Sequence, residues 1–282
     1  MTVTEDGIAR ARARIGVERQ SAHPDWAACN VDALYHYCQG LGDDNPLFWN
    51  EGYARQTHWG GVIAPPMFIR NIGTSRVEVL TRDGKPLTAE EREAGEHALS
   101  GLHVQVGEEL PPIIKGPLTV SDMIAWNWGD GLTMIHGAHR LMFLNYARHP
   151  KAYPINEAGI PDVVERVHWD NSMGRRTGNP AAYDYGAQRV AWMAHLITDW
   201  IGDNGWMQQF STQFRRFNYL GDTTWCKGKV VTKNPRDGEH RVKLELRSDD
   251  QRGRQTTIGK AVVQLPSQER PSKLHVITAD WW

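Results

Sequence analysis

The side chains best suited to moving protons lie close together in Gly159-Ile160-Pro161-Asp162-Val163-Val164-Glu165-Arg166-Val167-His168-Trp169-Asp170. Imidazole titrates nearest neutrality of all side chains, so a His with a carboxylate near it is a natural acid–base pair. A single His in such a stretch is equally the mark of a surface residue or of a hydrogen-bonded core residue, and the surrounding elements must decide. Other chemistries lack their residues. The chain has no Gly-x-Gly-x-x-Gly, no Gly-x-x-x-x-Gly-Lys-Ser/Thr, no Gly-x-Ser-x-Gly and no His-Glu-x-x-His, which argues against dinucleotide, P-loop, α/β-hydrolase and zincin functions. His136 and His139 are spaced as two metal ligands, but zinc needs three or four and no Cys or carboxylate supports them, so no metal is expected. His195 falls inside an apolar helix pattern and is expected to be hydrogen-bonded there.

The elements that must position the His168 stretch are legible from periodicity. Gly186 to Ile201 carries Val190, Met193, Ala194, Ile197 and Ile201 on one stripe and Trp192, Leu196 and Trp200 on a second. A helix apolar on two faces is buried. After Gly202-Asp203-Asn204-Gly205, strands are expected over Met207–Tyr219, Thr223–Thr232, His240–Leu246 and Thr256–Leu265, separated by turn-forming sequences. Four such strands read as an antiparallel meander wrapped around the preceding helix, an α+β fold. Upstream, helices are expected at Ile8–Ile15, Val31–Gly40, Asn50–Thr57, Val120 to about Trp126 and His139–Arg148. Thr119 with Asp122 forms a capping arrangement, and Gly60 to Ile69 reads as the start of another buried helix. Residues 75–96 are polar and turn-rich. A boundary near residue 105 divides the chain into 1–105 and 106–282.

Composition narrows the partners. Among 282 residues, 32 Lys and Arg balance 33 Asp and Glu, and no basic block exceeds two residues, so neither nucleic acid nor an anionic membrane is an expected partner. No apolar run approaches the roughly 20 residues of a spanning helix, the start lacks the pattern of a signal peptide, and three scattered cysteines fit a reducing compartment; a cytoplasmic location is expected. The 12 tryptophans either pack the core or line apolar surfaces beneath flat or extended ligands.

Two stretches carry a family resemblance. Gly42-Asp43-Asp44-Asn45-Pro46-Leu47-Phe48-Trp49-Asn50 resembles the hydratase motif of the MaoC-like, (R)-specific enoyl-CoA hydratase and dehydratase family, but Phe48 stands at the catalytic His and Asn50 at the second Asp. A phenyl ring cannot shuttle protons, so this copy is expected to be inactive. The second stretch, Val167-His168-Trp169-Asp170 with a short helix and then Tyr185-Gly186, is similar to the family's second segment. There the family's Asp position is Val163; Asp162 lies one residue upstream, and Glu165 is the substitute. Gly107–Trp126, Gly159–Asp170 and Asn179–Gln264 resemble a two-domain acyl dehydratase whose first half is of the fungal fatty-acid-synthase type. The resemblance implies a double hot-dog, each unit an antiparallel sheet around a central helix. Gly61 to Gly107 is too short for the strands that follow Gly186, so the first unit is trimmed and leaves a face that a second chain would cover.

What the resemblance implies is reversible hydration of a 2-enoyl-CoA thioester. Asp162 and His168 would activate the water and the Gly186 N–H would stabilise the enolate oxygen, helped by the helix dipole. Asp170 would orient His168, with Tyr183 and Asp184 at the pocket mouth. Arg215, Arg216, Lys227, Lys229 and Arg254 would meet the phosphates of coenzyme A, which enters only as part of the substrate; no other cofactor is implied. A bulky or aryl acyl group would suit the tryptophans. Two alternatives stay open, a hot-dog acyl-CoA thioesterase and a non-catalytic subunit of a heteromeric hydratase. Either way a homo-oligomer, or a heteromer completing the trimmed unit, is expected.

Overall fold

A computed structural model describes residues 29–70, 104–131, 139–236 and 239–266. The stretches Ile8–Ile15 and 75–96, and His136, lie outside these residues. The described helices are α1 (Val31–Leu41), α2 (Glu51–Ala54), α3 (Val120–Asp130), α4 (Arg140–Arg148), α5 (Asn171–Arg176) and α6 (Gly186–Ile201), and the strands are β1 (Ile113–Lys115), β2 (Trp206–Phe214), β3 (Thr224–Arg236), β4 (Glu239–Asp250) and β5 (Gln255–Leu265).

Local chemistry starts the helices where expected. Asn30 caps α1 by accepting the Ala33 N–H at 2.8 Å. At α3 the Thr119 hydroxyl accepts from the Asp122 N–H at 3.1 Å while Asp122 accepts from the Thr119 N–H at 2.7 Å, a reciprocal cap. α1 and α3 cross closely. A Cβ on Gly40 would lie 3.0 Å from the Gly129 Cα and closer still to the Ala125 carbonyl, so bare glycine backbone sets this approach.

α6 has the bounds its two apolar stripes predict. Met193, Leu196 and Ile197 are wholly buried, and the sheet lies over them. Burial along β3 alternates, with Thr224, Cys226, Gly228 and Val230 inward, and β4 does the same with Val242, Leu244, Leu246, Ser248 and Asp250, the period of two of a half-buried strand. The apolar ones, Cys226, Val230, Val242, Leu244 and Leu246, join α6, Tyr37 and Leu41 of α1, and Met123 and Trp126 of α3 in one core.

The sheet order is β1-β3-β4-β5-β2, antiparallel throughout. This corrects the expected meander. β3, β4 and β5 do pair in succession, but β2 pairs with β5 instead of β3. The reason is the connection after β2. The Arg215 and Arg216 N–H groups bond the Thr256 carbonyl, and the Asp184 N–H bonds the Asn218 carbonyl at 2.9 Å, so residues 215–222 are tied to the start of α6 and no tight hairpin forms.

Candidate active site

His168 ends a 3-10 turn over Val164–His168. Its Nδ1 lies 2.8 Å from the Tyr183 carbonyl. A carbonyl only accepts, so Nδ1 carries the proton of the neutral ring and Nε2 keeps its lone pair. The ring stacks on Tyr185, with centroids 3.7 Å apart and planes 28° off parallel, and meets the edge of Tyr183. Burial pushes the His168 pKa below 6.5, against an opposing pull from the Tyr183 carbonyl and the Asp184 charge. His168 is therefore neutral and basic at Nε2 around pH 7.

Tyr185 and Gly186 carry the other half. Tyr185 immediately precedes α6, whose first turn has no side-chain cap, so N–H groups at the positive end of a buried helix are available to an anion. Gly186 also keeps this helix end open, since a Cβ there would sit 3.1 Å from the Phe214 ring. Two buried carboxylates, Glu165 and Asp130, are 7% and 1% exposed. Burial, and after it the charges of these two acids, raise the Tyr185 phenol pKa.

The turn that presents these groups is fixed from behind by an ion pair. Asp184, 1% exposed, accepts from the Arg189 Nε at 2.6 Å, from Arg189 Nη2, and from the Asn218 side chain at 2.9 Å. Arg189 also donates to the Arg216 carbonyl at 2.5 Å and to the Thr256 carbonyl at 3.3 Å. The clamp joins residues 184–189 to the connection after β2. Asp184 is thus buried in the clamp and not at an exposed mouth, and half-buried Tyr183 packs against Phe217 with ring centroids 4.2 Å apart.

The other expected residues are placed as follows. Asp162 is held by the Asn156 side chain at 3.3 Å and by Arg166 Nε at 3.5 Å, and makes no hydrogen bond to His168. Asp170 caps α5, accepting the Ser172 N–H at 2.7 Å, and pairs with Arg166 at 2.9 Å. Burial opposes its ionisation, but those N–H bonds and Arg166 hold its pKa below the usual range. The expected orienting contact from Asp170 to His168 is therefore corrected: Arg166 draws Asp170 away, and the Tyr183 carbonyl orients the ring. Among the cations, Lys227 and Lys229 point to the outer face of the sheet, because odd positions of β3 alternate away from α6. They border a groove of about 690 Å³ with Glu109 and Glu245, whose lining does not include His168, and Lys227 pairs with Asp249 at 2.9 Å. Arg254 pairs with Asp250 at 2.7 Å. Arg215 and Arg216 are exposed and follow Phe214, which packs on Gly186.

Asp130 was not among the expected residues: it is the last residue of α3, before the C-cap Gly131. Residues 131–163 then separate Asp130 from the His168 turn, which hides the relation from any search by spacing.

The first motif is folded into a different environment, near the far end of α6. Phe48 is buried with Leu47 and Trp59, and Asn50 caps α2. Asp43 lies 3.8 Å from His195 Nε2, which also meets Asp199 at 3.2 Å. Lys115 Nζ approaches His195 Nδ1 at 2.9 Å and donates to the Leu41 carbonyl at 3.1 Å. His195 is hydrogen-bonded, as its helix position suggests. No group of metal-ligating residues occurs among the described residues.

Residues 14–107 match the family described as "FAS1-like, dehydratase domain region". A solved MaoC-like dehydratase is 15% identical, over 90% of this chain and 99% of that one, with a TM-score of 0.61. An (R)-hydratase from Pseudomonas aeruginosa, in its unliganded form, is 17% identical over 64% of this chain and 94% of its own, with a TM-score of 0.41. An (R)-hydratase from A. caviae involved in PHA biosynthesis is 17% identical over 58% of this chain and 98% of its own, also at 0.41. No curated protein matches the chain. The fold-level likeness rests on the 0.61 match.

Proposed function

For a chain with the α+β hot-dog fold of the MaoC-like dehydratases, we propose an acyl-CoA hydratase/dehydratase that reversibly adds water to a 2-enoyl-CoA. The observation that carries this reading is a neutral His168, its Nδ1 tied to the Tyr183 carbonyl and its ring stacked on Tyr185 at the uncapped start of α6. Hydration needs a base for water, a proton for Cα and a donor for the thioester oxygen as it becomes an enolate. His168 Nε2 takes the water proton as the oxygen bonds to Cβ. The C=C electrons move toward the thioester oxygen, which the Gly186 N–H and the helix dipole stabilise. His168 then delivers that proton to Cα, which restores the neutral ring and completes the addition of H and OH across the double bond.

Glu165 and Asp130 are the carboxylate partners, in preference to Asp162, which is engaged by Arg166 and Asn156. Exposed Arg215 and Arg216 flank the start of α6 and suit the phosphates of coenzyme A. An aryl or bulky acyl group fits the aromatic mouth formed by Tyr183, Phe214 and Phe217. The working protein is a homo-oligomer or a heteromer with a second chain.

The test follows the loss of enoyl-thioester absorbance with crotonyl-, trans-2-octenoyl- and cinnamoyl-CoA. His168→Ala is expected to lower kcat/KM by about 10² to 10⁴. At least one of Glu165→Gln and Asp130→Asn should fall comparably, while Asp162→Asn stays within a few-fold of wild type. Thiol release without hydration would instead favour the thioesterase. Wild-type protein that consumes none of these thioesters would refute the enzymatic reading and leave a subunit role.

A further inference from the structure

A buried hydroxyl is ordinarily hydrogen-bonded, because leaving water without a new partner costs about 1–3 kcal/mol. Tyr185 breaks that rule. The residue is 6% exposed, and its hydroxyl forms no hydrogen bond among the described residues. Its place in the fold is specific: it stacks on His168 at 3.7 Å, precedes the Gly186 N–H in the chain, and feels the charges of the buried Glu165 and Asp130. Among the described residues, it is an unpartnered buried polar side chain whose ring stacks directly on His168.

Packing alone does not explain the hydroxyl. Phenylalanine would stack on His168 equally well and would leave no polar atom to satisfy. A local violation of polar satisfaction at a chemical centre is expected where function opposes stability.

We infer that the Tyr185 hydroxyl hydrogen-bonds the oxygen that adds to, or leaves from, Cβ of the substrate, holding it against His168 Nε2. This rests on the hydratase reading above. During hydration the water gives one proton to His168 and its oxygen bonds to Cβ, while Tyr185 keeps its own proton. In the reverse direction the same O–H donates to the departing oxygen as His168 returns the proton. Burial and the two neighbouring carboxylates hold the phenol in its protonated form, so it serves as a donor throughout the cycle and contributes no limb to the pH profile.

Tyr185→Phe tests this with three readouts on the same panel of 2-enoyl-CoA thioesters. The expected result is a fall in kcat of about 10²-fold, the scale of one lost transition-state donor, with KM changed less than about threefold. Tm should stay level or rise, since only an unsatisfied hydroxyl is removed. The midpoints of the pH–rate profile should not move, because no titrating group is lost. Activity falling together with Tm would assign Tyr185 to packing and overturn the inference. So would full activity in the variant while His168→Ala is impaired, which leaves the hydratase reading intact. A wild type that hydrates none of the thioesters overturns both.

Discussion

Asp184→Asn probes the clamp behind the site. The carboxylate takes three side-chain hydrogen bonds, two from Arg189 and one from Asn218, plus the Asn218 backbone N–H at 3.2 Å, and the ion-paired side chains are 0% and 2% exposed. An amide is isosteric but neutral. It leaves the Arg189 charge buried and uncompensated, and its NH₂ must face a donor on Arg189 or Asn218. Removing one partner of a buried ion pair costs about 3–5 kcal/mol. At roughly 2–4 °C per kcal/mol for a chain of this size, Tm should fall by about 6–20 °C. The assay is urea unfolding followed by circular dichroism, with a thermal melt beside it. Arg189→Met should cost a similar amount, since it strands Asp184 and frees the Arg216 and Thr256 carbonyls. The double variant should cost clearly less than the two losses added, because each single change already breaks the pair. Losses below about 1 kcal/mol, or strict additivity, would refute the idea that the pair anchors the start of α6.

Three further outcomes are expected. Because burial lowers the His168 pKa below 6.5, kcat/KM should rise with pH through a midpoint under 6.5. Stability should fall as pH drops through that range, since protons then favour the unfolded chain; a midpoint above 7 would contradict a neutral, buried ring. Gly186→Ala gains up to about 1 kcal/mol of helix propensity but puts its Cβ 3.1 Å from Phe214, a ring half exposed and free to move, so stability should change by under about 1 kcal/mol. Activity should nevertheless fall by about 10²-fold or more as the methyl bars the thioester oxygen from the helix terminus; unchanged kinetics would remove Gly186 from the oxyanion site. Light scattering should give a mass above the 31.9 kDa of one chain, and a monomer would end the expectation of an oligomer.

Much of the fold is written locally. The bounds of α6 follow from two apolar stripes, the start of α3 from the Thr119–Asp122 pair, and β3, β4 and β5 from alternation between turn residues. These signals lie within a few residues of one another, and hydrogen bonding and burial at that range depend mainly on the backbone period. The same locality makes His168 and Gly186 visible, one by its chemistry and the other by its place at a helix start.

Whatever depends on distant contacts was decided in three dimensions. The sheet position of β2 is set by Asp184, Arg189 and Asn218, which hold the connection after it and leave its edge free for β5. Asp170 looks in sequence like an orienter of His168, yet buried Arg166 offers it a stronger partner, and the orienting oxygen is a main-chain carbonyl that no side-chain pattern reveals. Lys227 and Lys229 are basic wherever one reads them, but strand alternation turns them to the outer face. Asp130, buried at the end of α3, acts on Tyr185 although the 131–163 stretch separates it from the His168 turn in sequence. Sequence by itself determined which elements form and which side chains can move a proton. Tertiary structure decided which of those side chains share a buried space, because the strength of a charge or hydrogen bond depends on distance and exclusion of water, neither of which is a local property of the chain.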